Sequence, residues 1–167
     1  MPTDLWRFAE ALYQRPGVEA ACLLLQTQGA DVCLLLCAAW LERRQIICTN
    51  ERSDALRNIA QPWQQQVVVP LRQLRQSWRE QAQSNHALAQ LREQIKQLEL
   101  TAEREQLERL AACTQDWSSQ AANAPLNWLE KLAPQQCNRA TAAPSCAASA
   151  TASSACTLRN CRSPSRT

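Results

Sequence analysis

The sequence predicts an all-α fold, a single helical bundle of five to seven helices with one long amphipathic helix. Alanine, leucine, glutamine and arginine dominate its 167 residues, and all four favour helices. Only two residues are glycine, which supplies the left-handed positions of hairpins and phosphate-binding loops. This scarcity argues against a β-rich fold and excludes a P-loop or a dinucleotide-binding fingerprint.

Two short helices are predicted at the N-terminus. Apolar residues recur at helical spacing from Asp4 to about Gln14, and the Pro16-Gly17 pair ends this helix. A second helix follows from about Val18 to Gln28 and ends at Gly29, where a left-handed residue is favourable. We expect this helix to bury a stripe of four residues: Val18, Ala21, Cys22 and Leu25.

The third helix is predicted to be the centre of the bundle. Asp31 caps it, and it continues to about Arg44 with apolar residues almost all round. A fourth helical region begins near Asn50. Proline removes a backbone hydrogen bond and clashes with the preceding turn, so we expect breaks or kinks at Pro62 and Pro70, with a new helix starting at Pro62.

The longest helix is predicted to begin at Ser84 or Asn85. Five apolar residues follow the 3-4 spacing of a buried stripe: Leu88, Leu91, Ile95, Leu98 and Ala102. Charged residues lie between them, which fits a helical hairpin arm or a short coiled coil. A short final helix is predicted from about Pro125 to Leu132, with three leucines turned inward: Leu126, Leu129 and Leu132.

Composition changes abruptly at residue 135. Eighteen of the last 33 residues are alanine, serine or threonine, so we predict a helical domain at 1–134 and a disordered Ala/Ser/Thr/Cys/Arg tail at 135–167. The tail has four arginines and no acid, a net charge of +4, whereas residues 1–134 have 14 lysines and arginines against 15 acids, a net charge of −1. A GC-rich gene yields the same residue types in a wrong reading frame, so a frameshifted extension is one hypothesis for the tail.

Nothing in the sequence indicates secretion or membrane insertion. The N-terminus has an acidic residue where a secretory signal would be basic. The most apolar stretch, residues 18–41, is interrupted by polar residues too often for a membrane span. We therefore expect a cytoplasmic protein with no membrane contact, and we expect its nine cysteines to be free thiols.

The N-terminal half resembles a known family. Several aromatic and turn positions match together, in Trp6-Arg7-Phe8-Ala9, Leu12-Tyr13, Pro16-Gly17-Val18-Glu19-Ala20-Ala21-Cys22-Leu23, Gly29-Ala30-Asp31-Val32, Leu34-Leu35-Leu36 and Trp40-Leu41, with Pro62-Trp63 and Pro70-Leu71-Arg72 further on. These runs are similar to short proteobacterial helical proteins catalogued as a domain of unknown function. The resemblance covers roughly residues 3–132. It implies a small cytoplasmic bacterial helical protein, and it brings no activity, cofactor or catalytic residue.

The cysteines allow a metal site as an alternative to core packing. Cys33 and Cys37 share one helix face, with Cys22 and Cys48 nearby in sequence, and four thiolates would form a tetrahedral zinc site. The spacing is not that of a zinc motif, and free cysteine packs well as a small apolar residue, so core packing is favoured. The tail cysteines are expected to hold no ligand: Cys137, Cys146, Cys156 and Cys161.

A basic stripe is the main candidate binding feature. Arg72, Arg75 and Arg79 lie at i, i+3 and i+7, Trp78 lies beside them, and Arg92 follows early in the next helix. Arginine near an aromatic residue can bind a carboxylate or a phosphate. Nearby glutamates also allow a solvated face with local ion pairs. The near-neutral charge of residues 1–134 weakens the case for a nucleic acid.

These patterns favour a non-enzymatic protein-interaction or adaptor module with no cofactor and no catalytic residue. The single histidine, His86, is expected at an exposed helix start, which removes the usual His-dependent catalytic sets. The predicted partner-binding residues are Arg72, Arg75, Trp78, Arg79 and Arg92. The alternatives are nucleic-acid binding through the same stripe, a metal or redox protein using Cys22, Cys33, Cys37 and Cys48, and a helical enzyme with a pocket between helices.

Overall fold

The computed structural model describes residues 4–119 and 126–134. All regular secondary structure in these residues is helical, as predicted. Seven α-helices follow one another: α1 Asp4–Tyr13, α2 Val18–Thr27, α3 Val32–Arg43, α4 Asn50–Trp63, α5 Val69–Ser77, α6 His86–Cys113 and α7 Trp128–Leu132. None of them is both long and apolar enough to cross a membrane. The predictions for the tail at 135–167 lie outside the described residues.

Helix α3 lies at the centre of the bundle, as predicted. The Asp31 carboxylate caps it by accepting a hydrogen bond from the Leu34 backbone N–H at 3.1 Å. Helices α1, α6 and α7 pack against it, and each contributes a fully buried side chain, Leu5, Leu110 and Trp128 respectively. Seven α3 residues are buried: Cys33, Leu34, Leu36, Cys37, Ala38, Trp40 and Leu41.

Helix α7 is held by a tryptophan rather than by the three predicted leucines. Trp128 is fully buried, and its indole Nε1–H donates to the Ile46 backbone oxygen at 2.6 Å. Leu132 is buried as predicted, but Leu129 is exposed, so that part of the prediction is wrong. The reason is that α7 has only five residues, and the buried indole and its hydrogen bond determine which side faces the core.

The helix is not broken at Pro62 or Pro70, and the prediction that a new helix starts at Pro62 is wrong. Helix α4 continues through Pro62 into a π-helical segment, Gln64–Val68, and then directly into α5. In this segment the Val69 backbone N–H donates to the Gln64 carbonyl oxygen, five residues back. The carbonyl that loses its N–H partner at Pro70 belongs to Gln66, which lies within this wider turn, so we attribute the continuity at the second proline to the π-helical segment.

Helix α2 does not bury the stripe predicted for it. None of its residues is fully buried, and Leu23 and Leu24 are 50% and 60% exposed. Helix α2 packs only along the edges of α1 and α3, so no second layer covers its outer side. Gly17 and Gly29 flank it with φ angles of 83° and 85°, a left-handed conformation that costs glycine little.

Helices α5 and α6 form a hairpin arm, one of the two forms predicted for the long helix. Asn85 caps α6 by accepting a hydrogen bond from the Leu88 backbone N–H at 3.1 Å. The predicted stripe is only partly correct, because Leu91 and Leu98 are 49% and 53% exposed. Two polar residues of α6 face inward beside these leucines, the half-buried Arg92 and the buried Glu99. They do so because α5 presents arginines to this side of α6.

Replacing Leu110 with alanine is expected to lower the free energy of unfolding by about 3 kcal/mol, because Leu110 is fully buried and its loss leaves a cavity. Leu100→Ala, in the same helix but half exposed, is the matched control and should cost less than about 1 kcal/mol. Urea denaturation followed by circular dichroism measures both. Equal losses from the two variants would contradict the position of α6 in the core.

Candidate partner-binding surfaces

A buried cluster of charges fastens α5 to α6. Arg72 donates from Nε to Glu99 Oε1 at 2.8 Å and from Nη2 to Glu103 Oε1 at 2.6 Å. Arg75 donates from Nε to Glu99 Oε2 at 2.5 Å. Arg72 and Glu99 are both buried, and a buried charge is tolerated only when opposite charges and hydrogen bonds compensate it. Glu99 therefore joins both arginines of α5 to one turn of α6.

The pKa values of the two glutamates of this cluster shift in opposite directions. Burial by itself would raise the pKa of Glu99, but hydrogen bonds from Arg75 and Arg72 outweigh it and lower that pKa below its ordinary value of 4.5. Burial raises the pKa of Glu103, where the Coulombic attraction of Arg72 is not enough to offset it. Hydrogen bonding to Glu99 raises the pKa of Arg75. Glu99 is accordingly the firmly ionised member of the cluster.

The structure separates the five predicted partner-binding residues into two groups. Arg72, Arg75 and Arg92 come together inside the hairpin, where Arg92 Nε donates to the Arg75 backbone oxygen at 3.1 Å. Trp78 and Arg79 follow α5 at the tip of the hairpin, with Trp78 half-buried and Arg79 exposed. The sequence placed Arg72 and Arg75 on a helix correctly, but Arg79 lies beyond the end of α5, and only a tertiary contact reveals that the next helix supplies the glutamate partners.

The four-cysteine metal site considered from the sequence is not assembled. In residues 4–119 and 126–134, no three cysteine, histidine, aspartate or glutamate side chains lie close enough together to hold a metal ion. Cys33 and Cys37 are buried in the core, and the Cys33 thiol lies 3.7 Å from the Glu103 backbone oxygen, to which it donates. Burial raises the pKa of every thiol in the described residues: Cys22, Cys33, Cys37, Cys48 and Cys113. The raised pKa values favour the protonated thiol at all five positions, and Cys33 and Cys37 are in addition buried from solvent.

Trp117 and Trp78 differ in the contacts that their rings make. Trp117 is partly buried against the core and stacks on Trp128, with ring centroids 5.9 Å apart. The Arg52 guanidinium lies over the Trp117 ring, 5.2 Å from its centroid. Trp117 therefore has a packing role, which leaves Trp78 as the surface candidate of the two.

An apolar groove of about 390 Å³ lies between α1, α2, α3 and α6. Tyr13, Leu23 and Leu100 line it and are exposed large side chains. Its inner wall includes the buried side chains of Cys33, Leu36 and Leu107. This volume lies in the range of ordinary ligand-binding pockets. We call it the α2 groove.

The charged side chains that line the α2 groove are both acidic. Glu10 and Glu103 line it, whereas no lysine or arginine does. Burial raises the pKa of the Tyr13 hydroxyl, and the nearby Cys22 and Glu19 raise it further. The groove therefore offers an apolar floor with acidic and hydroxyl groups along its sides.

Sequence reasoning missed the α2 groove because four separate helices supply its lining. One signal was available in the consecutive residues Leu23, Leu24 and Leu25. Successive residues on a helix point about 100° apart, so three leucines in a row cannot all face one core. The run indicated an apolar surface outside the core, but only the tertiary structure places it beside α1 and α6.

Comparison with known proteins identifies a family but no activity. Residues 4–110 match the family described as "Protein of unknown function (DUF2390)". No curated protein and no solved structure matches the chain significantly. The match covers α1 to α5 and most of α6, including the α2 groove and the charge cluster.

Replacing Glu99 with glutamine is expected to lower the free energy of unfolding by about 3 kcal/mol at neutral pH, since two buried arginine contacts lose their counter-charge. Because folding lowers the pKa of Glu99, its contribution is present above the ordinary value of 4.5 and is lost as the pH falls through the lowered pKa. The difference from the wild type should therefore shrink below pH 4.5. Thermal and urea denaturation at a series of pH values measure this difference in the free energy of unfolding.

Glu105→Gln is the matched control, because Glu105 forms an exposed pair with Arg109 on the same helix. Such a pair contributes less than about 1 kcal/mol, so this variant should resemble the wild type at every pH. If Glu99→Gln costs no more than the control, the charge cluster does not hold the hairpin.

Alkylation should leave Cys33 and Cys37 unmodified in the folded protein. Both side chains are buried, and burial keeps their thiols protonated, so iodoacetamide at about pH 8 has no thiolate to attack. Both should react fully in concentrated guanidinium chloride. Peptide mass spectrometry reads each site separately, and rapid modification of either residue without denaturant would contradict the core described above.

Proposed function

This chain belongs to the DUF2390 family of proteins of unknown function, and we propose that it is a non-enzymatic protein-interaction module. Its α2 groove receives one face of an amphipathic helix from a partner protein. The observation that carries the proposal is the unpartnered apolar lining, with Tyr13, Leu23 and Leu100 exposed around it. Exposed apolar surface beside a concavity is typical of protein-binding sites.

The shape and chemistry of the α2 groove support a helix as the occupant. A groove between helices accepts apolar side chains that recur at i, i+3 or i+4, and i+7 on a partner helix. Glu10 lines the groove without a basic neighbour in the lining, whereas Glu103 is already paired with Arg72, so a lysine or arginine that reaches Glu10 from the edge of the partner's apolar face is favourable. The expected partner segment is therefore a basic amphipathic helix.

The stripe predicted from the sequence supports this proposal in a second way. Arg72, Arg75 and Arg92 are engaged within the hairpin, so they act by holding α6 and its groove residues in place. Trp78 and Arg79 are available for a secondary contact with the same partner at the hairpin tip. With three of the four stripe arginines occupied, a protein partner is favoured over a nucleic acid.

Site-specific photo-crosslinking of the full chain tests the proposal. A photoreactive amino acid at Leu23, in the groove lining, should capture one discrete protein from a lysate of the source organism. The captured peptide should come from an amphipathic helix with a basic residue. The same probe at Asp54, an exposed position on α4 outside the groove, is the control and should not capture that protein.

A pair of variants tests whether the α2 groove is the surface that forms the crosslink. Leu100→Glu places a charge in the groove lining and should abolish the crosslink from Leu23, whereas Leu129→Glu, at a similarly exposed leucine on α7, should leave it intact. Circular dichroism confirms that both variants stay helical. A crosslink that survives Leu100→Glu, or one that disappears after nuclease treatment, contradicts the proposal, and the second result would favour nucleic-acid binding.

A further inference from the structure

One wall of the α2 groove is anchored less deeply than the other three. Helices α1, α3 and α6 each place fully buried side chains in the core, among them Leu5, Cys37 and Leu110 respectively. Helix α2 has no buried residue, and Leu23, with which it lines the groove, is half exposed. Moving α2 outward therefore uncovers little additional apolar surface, so the movement costs little free energy.

The two ends of α2 carry the only two glycines of the chain. Gly17 precedes the helix and Gly29 follows it, with φ angles of 83° and 85°. Glycine adopts positive and negative φ about equally readily, so the backbone can rotate at these two positions at little cost. A Cβ added at either glycine would meet no atom within 4 Å, so the space around both is open. Both positions therefore suit a hinge.

Gln26, near the C-terminal end of α2, reaches from the groove to the charge cluster. Its amide oxygen lies 3.1 Å from Nε, 3.0 Å from Nη1 and 2.8 Å from Nη2 of Arg72, and the amide nitrogen in this place would face donors only. Similar distances to all three nitrogens place the oxygen over the face of the guanidinium, since an acceptor in its plane reaches two at most. This contact lacks the alignment of the hydrogen bonds from Arg72 to Glu99 and Glu103, so it is easier to break.

We propose that α2 is a hinged wall of the α2 groove, which rotates outward about Gly17 and Gly29 and widens the groove when an occupant enters. The contact between Gln26 and Arg72, called the latch below, holds the closed position. Arg72 is itself fixed by Glu99 of α6, so the latch ties the movable wall to a fixed part of the molecule. Opening the latch leaves the charge cluster and the core in place.

A wider groove suits the helix proposed above as its occupant. The closed groove has about 390 Å³, near the lower end of the range of about 300–1,000 Å³ that ligand pockets span. A helix with its side chains is about 10 Å across, so it needs a wider opening than a small pocket gives. In this respect alone the hinged wall rests on the proposed function. Its movement needs no partner, so an experiment without one tests it, and failure of the proposed helix partner would leave the result unchanged.

Fluorine NMR of the full chain tests the movement directly. The chain has one tyrosine and one phenylalanine, so 3-fluorotyrosine gives one signal from Tyr13 and 4-fluorophenylalanine gives one from Phe8. Tyr13 lines the groove near Cys22 of α2, whereas Phe8, on the same helix as Tyr13, packs against the core outside the groove lining. Relaxation dispersion should show Tyr13 exchanging between two states on the microsecond-to-millisecond timescale, with no such exchange at Phe8.

Three substitutions should each raise the population of the open state at least about threefold. Gln26→Met removes the amide of the latch, and Gly17→Ala or Gly29→Ala disfavours the positive φ of the closed position. Leu24→Gln, at an exposed residue of α2 outside the groove lining, is the control and should leave the population unchanged. Leucine, glutamine and methionine have similar helix propensities, so neither side-chain exchange alters the helix itself.

The Tyr13 and Phe8 signals together decide the outcome. A Tyr13 signal without exchange in the wild type and in all three variants overturns the hinged wall. Exchange that Phe8 shares does so as well, because the whole bundle then moves. An open population that Gln26→Met leaves at the wild-type value overturns the latch.

Discussion

The ionised carboxylate of Glu99 is the interaction on which the exposed surfaces of α6 depend. It is buried between two helices, so its charge must be matched by Arg72 and Arg75 from α5. That requirement turns a polar side of α6 toward α5. The leucines that the spacing assigned to a buried stripe, Leu91 and Leu98, are left partly exposed as a consequence.

The π-helical segment Gln64–Val68 makes this pairing possible. It joins α4 to α5 without a break, so Arg72 and Arg75 lie on a helix that continues from the core. The same continuity places Trp63 against α6, where its indole donates to the Ala102 backbone oxygen at 2.9 Å. Two prolines that would ordinarily end a helix therefore lie within an unbroken one.

The α2 groove is a concave, largely apolar surface between four helices. The groove exists because α2 stays outside the core and covers α1 and α3 only along their edges.

Much of the fold follows from local information in the sequence. Helical spacing, the caps at Asp31 and Asn85 and the apolar surface of α3 predict the helices and their central member, because these signals act within a few residues along the chain. Tertiary structure decided which polar residues turn inward, whether Pro62 breaks its helix, and where the groove lies. Each of these depends on groups distant in sequence, as Glu99 does on Arg72, and a periodic pattern carries no information about a partner supplied by another helix.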